Sequence, residues 1–245
     1  MRKFLYIIIL FLPFTVWAEE ENDKRSFSVN ADVVSTYVWR GSYQAGTSIQ
    51  PCMDFNIGRF SAGVWGSVDV AGFGYKEVDL SVSYSLKNVT IGLIDYWVAG
   101  EVNYNYLDFS RSTLHLLDAW LTFSFNRVPL TIGWYTIVAG DEHYTMYDKN
   151  GKMKKTFPTY LEASYTFPVK EVSIETSIGV SPWKSGTMYN RTDEGGRTDG
   201  FAVINLSLKA SRDIQITDHY AIPVFGQLIL NPAKEDLFLL FGIRF

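Results

Sequence analysis

The chain has 245 residues, 22 of them Lys or Arg and 26 Asp or Glu, for a net charge of −4. Such a surface argues against nucleic acid as a partner, and the lone Cys52 excludes an internal disulfide. A mean hydropathy of zero with 16% aromatic residues fits a chain in which every second residue is wet, and not a helical membrane protein.

At the N-terminus, Arg2 and Lys3 precede an apolar run from Phe4 to Trp17, which closes on Val16-Trp17-Ala18. This pattern predicts a secretory signal peptide over 1–18, cleaved after Ala18, and the run is too short to span a bilayer. Cleavage removes Arg2 and Lys3 and makes the mature chain more acidic still. Residues 19–26 follow as a short periplasmic segment, and 27–245 as one domain. No later stretch reaches the ~18 uninterrupted apolar residues of a membrane helix. A mature chain bound for a membrane must then cross it with strands, because every backbone group in lipid needs a partner.

Alternating segments occur near 27–40, 49–57, 60–70, 77–86, 89–97 and 114–125, and again near 130–138, 159–167, 172–181, 200–209, 219–229 and 236–245. Each has about the length of a tilted transmembrane strand. In the first, Phe27, Val29, Ala31, Val33, Tyr37 and Trp39 share one parity. In the fourth, Val78, Leu80, Val82 and Tyr84 oppose Glu77, Asp79, Ser81 and Ser83. Asp95 falls on the apolar parity of the fifth, which places it at a rim or bulge. The links alternate too. Gly58-Arg59, Lys87-Asn88, 126–129, 168–171 and 210–218 are short, whereas 98–113, 139–158 and 182–199 are long and polar. Period-2 alternation with short turns on one rim and long loops on the other predicts an all-β fold, a transmembrane antiparallel up-and-down barrel of twelve strands. A secreted β-sandwich would also alternate, but Tyr37, Trp39, Tyr84, Phe123, Phe125 and Phe167 lie on the outward parity near strand ends, as in an aromatic belt.

A charge on the lipid face is costly, so the polar parity must line the lumen. It carries the acids Asp32, Asp54, Asp69, Glu77, Asp79, Asp118, Glu162 and Glu175 and the bases Arg40, Lys209 and Arg244. This excess of carboxylates predicts a cation-attracting bore. Trp65, Trp120, Tyr135, Tyr160 and Phe238 share the inward parity and could instead fill it, since twelve strands lie between side-chain-filled and open barrels. Arg40 reads either as a pin between loops and wall or as a fixed charge at a constriction.

Loop 139–158 contains Asn150-Gly151, a hairpin signal that predicts a ribbon above the membrane, with lysines able to meet lipopolysaccharide phosphates. The chain's three histidines, His115, His143 and His219, form no recognisable catalytic constellation. The sequence indicates no catalytic residue, metal site or cofactor.

The final strand ends in Leu237, Leu239, Phe241, Ile243 and Phe245 on one face, which resembles the insertion signal of Gram-negative outer-membrane barrels. Thr36-Tyr37-Val38-Trp39-Arg40-Gly41 with Ile49-Gln50-Pro51, Gly74-Tyr75-Lys76-Glu77-Val78-Asp79 and Asn231-Pro232 resembles an uncharacterised family of outer-membrane barrels from Bacteroidota genomes. A similar tyrosine-x-x-arginine-glycine pattern occurs in a proteobacterial family of unknown function. The resemblance implies location and architecture: a monomer in the outer membrane, delivered through the barrel-assembly machinery by its C-terminal strand and Phe245, in contact with lipid and lipopolysaccharide. The resulting expectation is a narrow channel or binding barrel for small polar or cationic solutes. The alternative is a closed barrel with an enzymatic, adhesive or structural role at the cell surface.

Overall fold

The computed structural model describes residues 25–72, 74–99, 105–109, 114–140, 145–147, 153–185, 188–189 and 200–245, and among these there is no helix. The segment assigned above to the signal peptide lies outside the described residues, as do His143 and Asn150-Gly151.

Twelve strands form the wall: β1 (Arg25–Val34), β4 (Ser48–Ile57), β5 (Phe60–Asp69), β6 (Lys76–Leu86), β7 (Val89–Ala99), β8 (His115–Ser124), β9 (Leu130–Gly140), β12 (Thr159–Val169), β13 (Val172–Ser181), β14 (Ala202–Thr217), β15 (Tyr220–Asn231) and β16 (Asp236–Arg244). All neighbours are antiparallel, and β1 pairs with β16 to close the barrel. Four short strands stand outside the wall, β2 (Tyr37–Trp39) with β3 (Ser42–Ala45), and β10 (Thr145–Tyr147) with β11 (Met153–Lys155).

Alternation builds the wall because a strand between two solvents must sort its side chains by parity. The apolar parity faces out: Phe27, Val29, Met53, Phe55, Leu80, Val82, Ile91, Leu93, Leu228, Leu239 and Phe241 are all exposed large hydrophobics. The inner face carries Ser, Thr and acids, with glycines opposite its bulky rings. A Cβ on Gly92 would sit 2.5 Å from the Trp120 ring, and one on Gly179 2.2 Å from the Tyr160 hydroxyl. These glycines are the space into which the inward aromatics fold.

Five links on the rim that holds both strand termini are short, with left-handed residues at Gly58 (φ 54°), Lys87 (φ 51°) and Lys170 (φ 54°). Phe245 closes the seam through reciprocal backbone bonds with Ala31, 2.9 and 3.1 Å. Within loop 139–158, residues 145–147 and 153–155 pair as β10–β11, Thr145 opposite Lys155 and Tyr147 opposite Met153.

Two expectations need correction. The link placed at 210–218 does not exist: β14 continues to Thr217 and turns only at Asp218-His219. Its alternation persists through Ile214 and Ile216, both exposed. The first strand does not run to Arg40 either. It stops at Val34, and the chain bends at Ser35-Thr36 and enters the lumen as the β2–β3 hairpin. Tyr37 and Trp39 therefore leave the outer belt. Tyr37 packs against Trp65, 5.5 Å between centroids, and Trp39 against Tyr96, 5.4 Å.

Candidate functional site in the lumen

The hairpin turns at Arg40-Gly41, where φ is +47° and +77°. Two successive positive φ values define the tight two-residue turn that matches strand twist. Glycine is required at the second position on space as well: a Cβ there would lie 1.9 Å from the Ile204 carbonyl oxygen. The Asn231 amide donates to the Gly41 carbonyl, 2.9 Å, and Lys234 Nζ donates to Ser42 Oγ, 3.0 Å. The hairpin is thus stitched to the β15–β16 link.

Arg40 is enclosed. One guanidinium nitrogen bonds Asp118 Oδ2 at 2.7 Å and another donates to the Tyr189 hydroxyl at 2.6 Å. The guanidinium carbon lies 4.5 Å from the Trp39 ring centroid, 4.6 Å from Tyr135 and 5.1 Å from Tyr160. Tyr160, Tyr189, Ala202 and Ile204 form a small apolar core beneath it. Burial pushes the Tyr189 hydroxyl up to about 12, so it remains protonated against the guanidinium. A charge held by a carboxylate and three rings inside a low-dielectric core is a structural tie.

The other flank of the lumen is built differently. Tyr37, Trp39 and Tyr96 stand between two cavities. One, about 250 Å³, lies on the side of Tyr75, Glu77, Gln44 and Lys234. The second, about 310 Å³, is bounded by Asp54, Trp65, Asp79 and Ser81. Tyr75 donates to Glu77 Oε2 at 2.8 Å, and its hydroxyl is held far above the usual phenol range by burial and by the Glu77 charge. Glu77 is 5% exposed and Asp79 8%, and Asp79 Oδ1 is buried with no hydrogen-bond partner. Among the described residues, no Lys, Arg or His forms an ion pair with either.

The remaining inward charges have varied surroundings. Arg244 binds Asp32 through two 2.7 Å bonds, locking the β1–β16 seam. Asp69 caps the β5–β6 link by accepting from the Ala71 amide, 2.7 Å. Asp54 accepts from Cys52 Sγ at 3.3 Å. Glu162 accepts from Tyr160 at 2.5 Å and from Asn205 at 3.4 Å. Glu175 and Lys209 are register partners, and Lys209 Nζ lies 4.4 Å over the Phe225 ring near the short-link rim.

Asp95, on the outward parity, is covered by loop residues 105–109. Its carboxylate meets His115 Nδ1 at 2.9 Å and the Tyr106 hydroxyl at 3.3 Å, while His115 Nε2 meets the Tyr106 carbonyl at 2.6 Å. Both ring nitrogens are engaged, which removes His115 as a free general base. Among the described residues no cluster of three His, Cys, Asp or Glu is arranged to hold a metal.

Residues 18–195 match the family model described as "Bacterial protein of unknown function (Gcw_chp)". The chain belongs to this family. No curated protein matches the sequence. Among solved structures, the NanC porin is similar at 9% identity and a TM-score of 0.50, over 89% of this chain and 98% of that one. A triple mutant of the Rhodopseudomonas blastica porin is similar at 12% identity and a TM-score of 0.37, over 89% of this chain and 73% of that one. At such identities the NanC likeness speaks to fold alone: this Gcw_chp member is a porin-like, closed, twelve-stranded antiparallel barrel.

Tyr96, Tyr189 and Asn205 carry no signal in the sequence, and Asn231 stands out there only as part of a family motif, without its partner. Asn231 and Gly41 are 190 positions apart. The one local signal for the hairpin was Arg40-Gly41, a pair suited to a tight turn.

Proposed function

We propose that this Gcw_chp protein is an outer-membrane barrel that binds and passes small polar or cationic solutes along the β4–β7 flank of its lumen. The observation that carries the reading is the pair Glu77 and Asp79. They are buried, have no base partner among the described residues, and flank an aromatic septum with a cavity on either side. Burying carboxyl groups with no base to pair them costs stability, and a lumen that retains them gains a field that concentrates cations. The apolar outer face and the sharing of fold with a porin support placement in the membrane. The same reading takes Ala18 as the cleavage point, Phe245 as the assembly signal for the barrel-insertion machinery, the outer loops as the face toward lipopolysaccharide, and the monomer as the working unit.

Liposome swelling tests it. Vesicles carrying the refolded barrel should swell in small neutral and cationic solutes faster than protein-free vesicles and more slowly in anions of equal size. Swelling no faster than in protein-free vesicles would overturn the passage reading and favour a barrel closed by its hairpin.

A further inference from the structure

The cavity beside Asp79 has features that separate one kind of cation from another. Asp54 and Asp79 line it with carboxyl groups, and Asp79 Oδ1 is buried with no hydrogen-bond partner. Asp69 Oδ2 and Asp118 Oδ1 are unpartnered in the same way, so what sets Asp79 apart is the cavity and the rings beside it. No basic side chain lines the cavity. Four rings stand among its other walls: Tyr37 and Trp65 are inclined at 56°, and Trp39 and Tyr96 at 73°. A small metal ion sheds water only for a shell of oxygen ligands, and aromatic faces do not provide one. An organic cation has the opposite need, being weakly hydrated and attracted to the negative faces of rings within about 6 Å.

From this geometry we infer that the cavity is a binding site for a small organic cation, an alkylammonium or guanidinium group, seated against Asp79 and Asp54 and packed on Trp65, Tyr37 and Trp39. The chain holds its own example of this recognition next door. The Arg40 guanidinium is gripped by Asp118 and by the rings of Trp39, Tyr135 and Tyr160. Trp39 belongs to both settings, one already occupied by a side chain of the protein and one bordering the cavity. At about 310 Å³ the space matches about ten water molecules, which sets the solute at the small end of protein ligands. The inference rests on the reading of the lumen as solute-binding and narrows its solute class.

The test uses the full barrel refolded in vesicles, with n-butylammonium chloride titrated against sodium chloride at matched ionic strength. Tryptophan fluorescence reports on Trp39 and Trp65, and bilayer reversal potentials are measured in parallel. Butylammonium should give a saturable fluorescence change that sodium does not. Asp79→Asn should weaken it about tenfold, a step consistent with losing one charge contact. Glu171→Gln, in an exposed turn, serves as the reference. Should Asp79→Asn not fold, Asp54→Asn reads the same site. Equal responses to the two cations, or butylammonium binding undiminished in the folded carboxylate variants, would overturn the organic-cation site. Low-salt cation selectivity persisting in the bilayer would then show that the passage reading survives without it, whereas loss of both would remove both.

Discussion

On the flank of the lumen formed by β8, β9, β12 and β14, charge is paired: Arg40 lies 2.7 Å from Asp118, inside a cage of three rings. On the flank formed by β4 to β7, Glu77 and Asp79 are also buried, yet Glu77 meets the Tyr75 hydroxyl and Asp79 meets Glu77, with cavities beside them instead of bases. The same side-chain chemistry therefore does two jobs a few strands apart. Where a carboxylate has a cation from its own chain, it holds the hairpin in place. Where it has none among the described residues, it borders a cavity. Burial alone does not distinguish the two flanks, but partnership does.

The strongest way to break this comparison is to unpair the tied flank. Arg40→Ala strands Asp118 in a low-dielectric core and should cost about 3–5 kcal/mol, read by reversible urea unfolding in lipid vesicles. The double change Arg40→Leu with Asp118→Leu should recover most of that loss, since it removes both charges. Additive losses in the double variant would contradict the pairing. Register comes next. Leu80→Arg places a charge on the lipid face and should cost ~2–4 kcal/mol. Ser81→Arg, one residue on, faces the cavity beside two acids and should cost far less. Equal damage would show the two faces to be misassigned.

Gly41→Ala drives a Cβ onto the Ile204 carbonyl at a left-handed φ, and a loss of roughly 1–3 kcal/mol is expected in the same unfolding assay. The smallest effect is also the sharpest contrast. Asp118→Asn should destabilise by leaving Arg40 without its anion, whereas Asp79→Asn should be neutral or stabilising by up to roughly 1 kcal/mol, because Asp79 holds no cation of this chain and crowds the Glu77 carboxyl. Matching losses would mean that Asp79 is as structurally committed as Asp118.

How far this could be read from the sequence follows from the range of the forces involved. Wall strands are local: Val78 to Leu86 alternate against Glu77 to Ser85, and the turn at Lys87-Asn88 is marked by its residues. The barrel was legible for that reason. The hairpin was not, because Tyr37 and Trp39 keep the parity of the strand before them and read as its continuation. Its entry into the lumen depends on contacts with no local signature, Gly41 against Ile204 and the Asn231 amide reaching back to the hairpin. The inward parity of Glu77, Asp79 and Asp118 was legible. Which of them meets Arg40 was not, since that depends on where the hairpin goes. Asp95 stood out as an acid on the lipid parity, but while His115 reaches it from β8, its cover by Tyr106 comes from a loop whose path no periodicity describes.

The reversal potential across a planar bilayer under a salt gradient, for the wild-type barrel and for Glu77→Gln with Asp79→Asn, tests the central claim most directly. With a Debye length of ~30 Å at 0.01 M and ~3 Å at 1 M, fixed carboxylates should make the wild type cation-selective at low salt and nearly unselective at high salt. Neutralising the pair should move the low-salt potential toward zero and leave the high-salt value almost unchanged. A low-salt potential that is the same in both proteins would contradict the account.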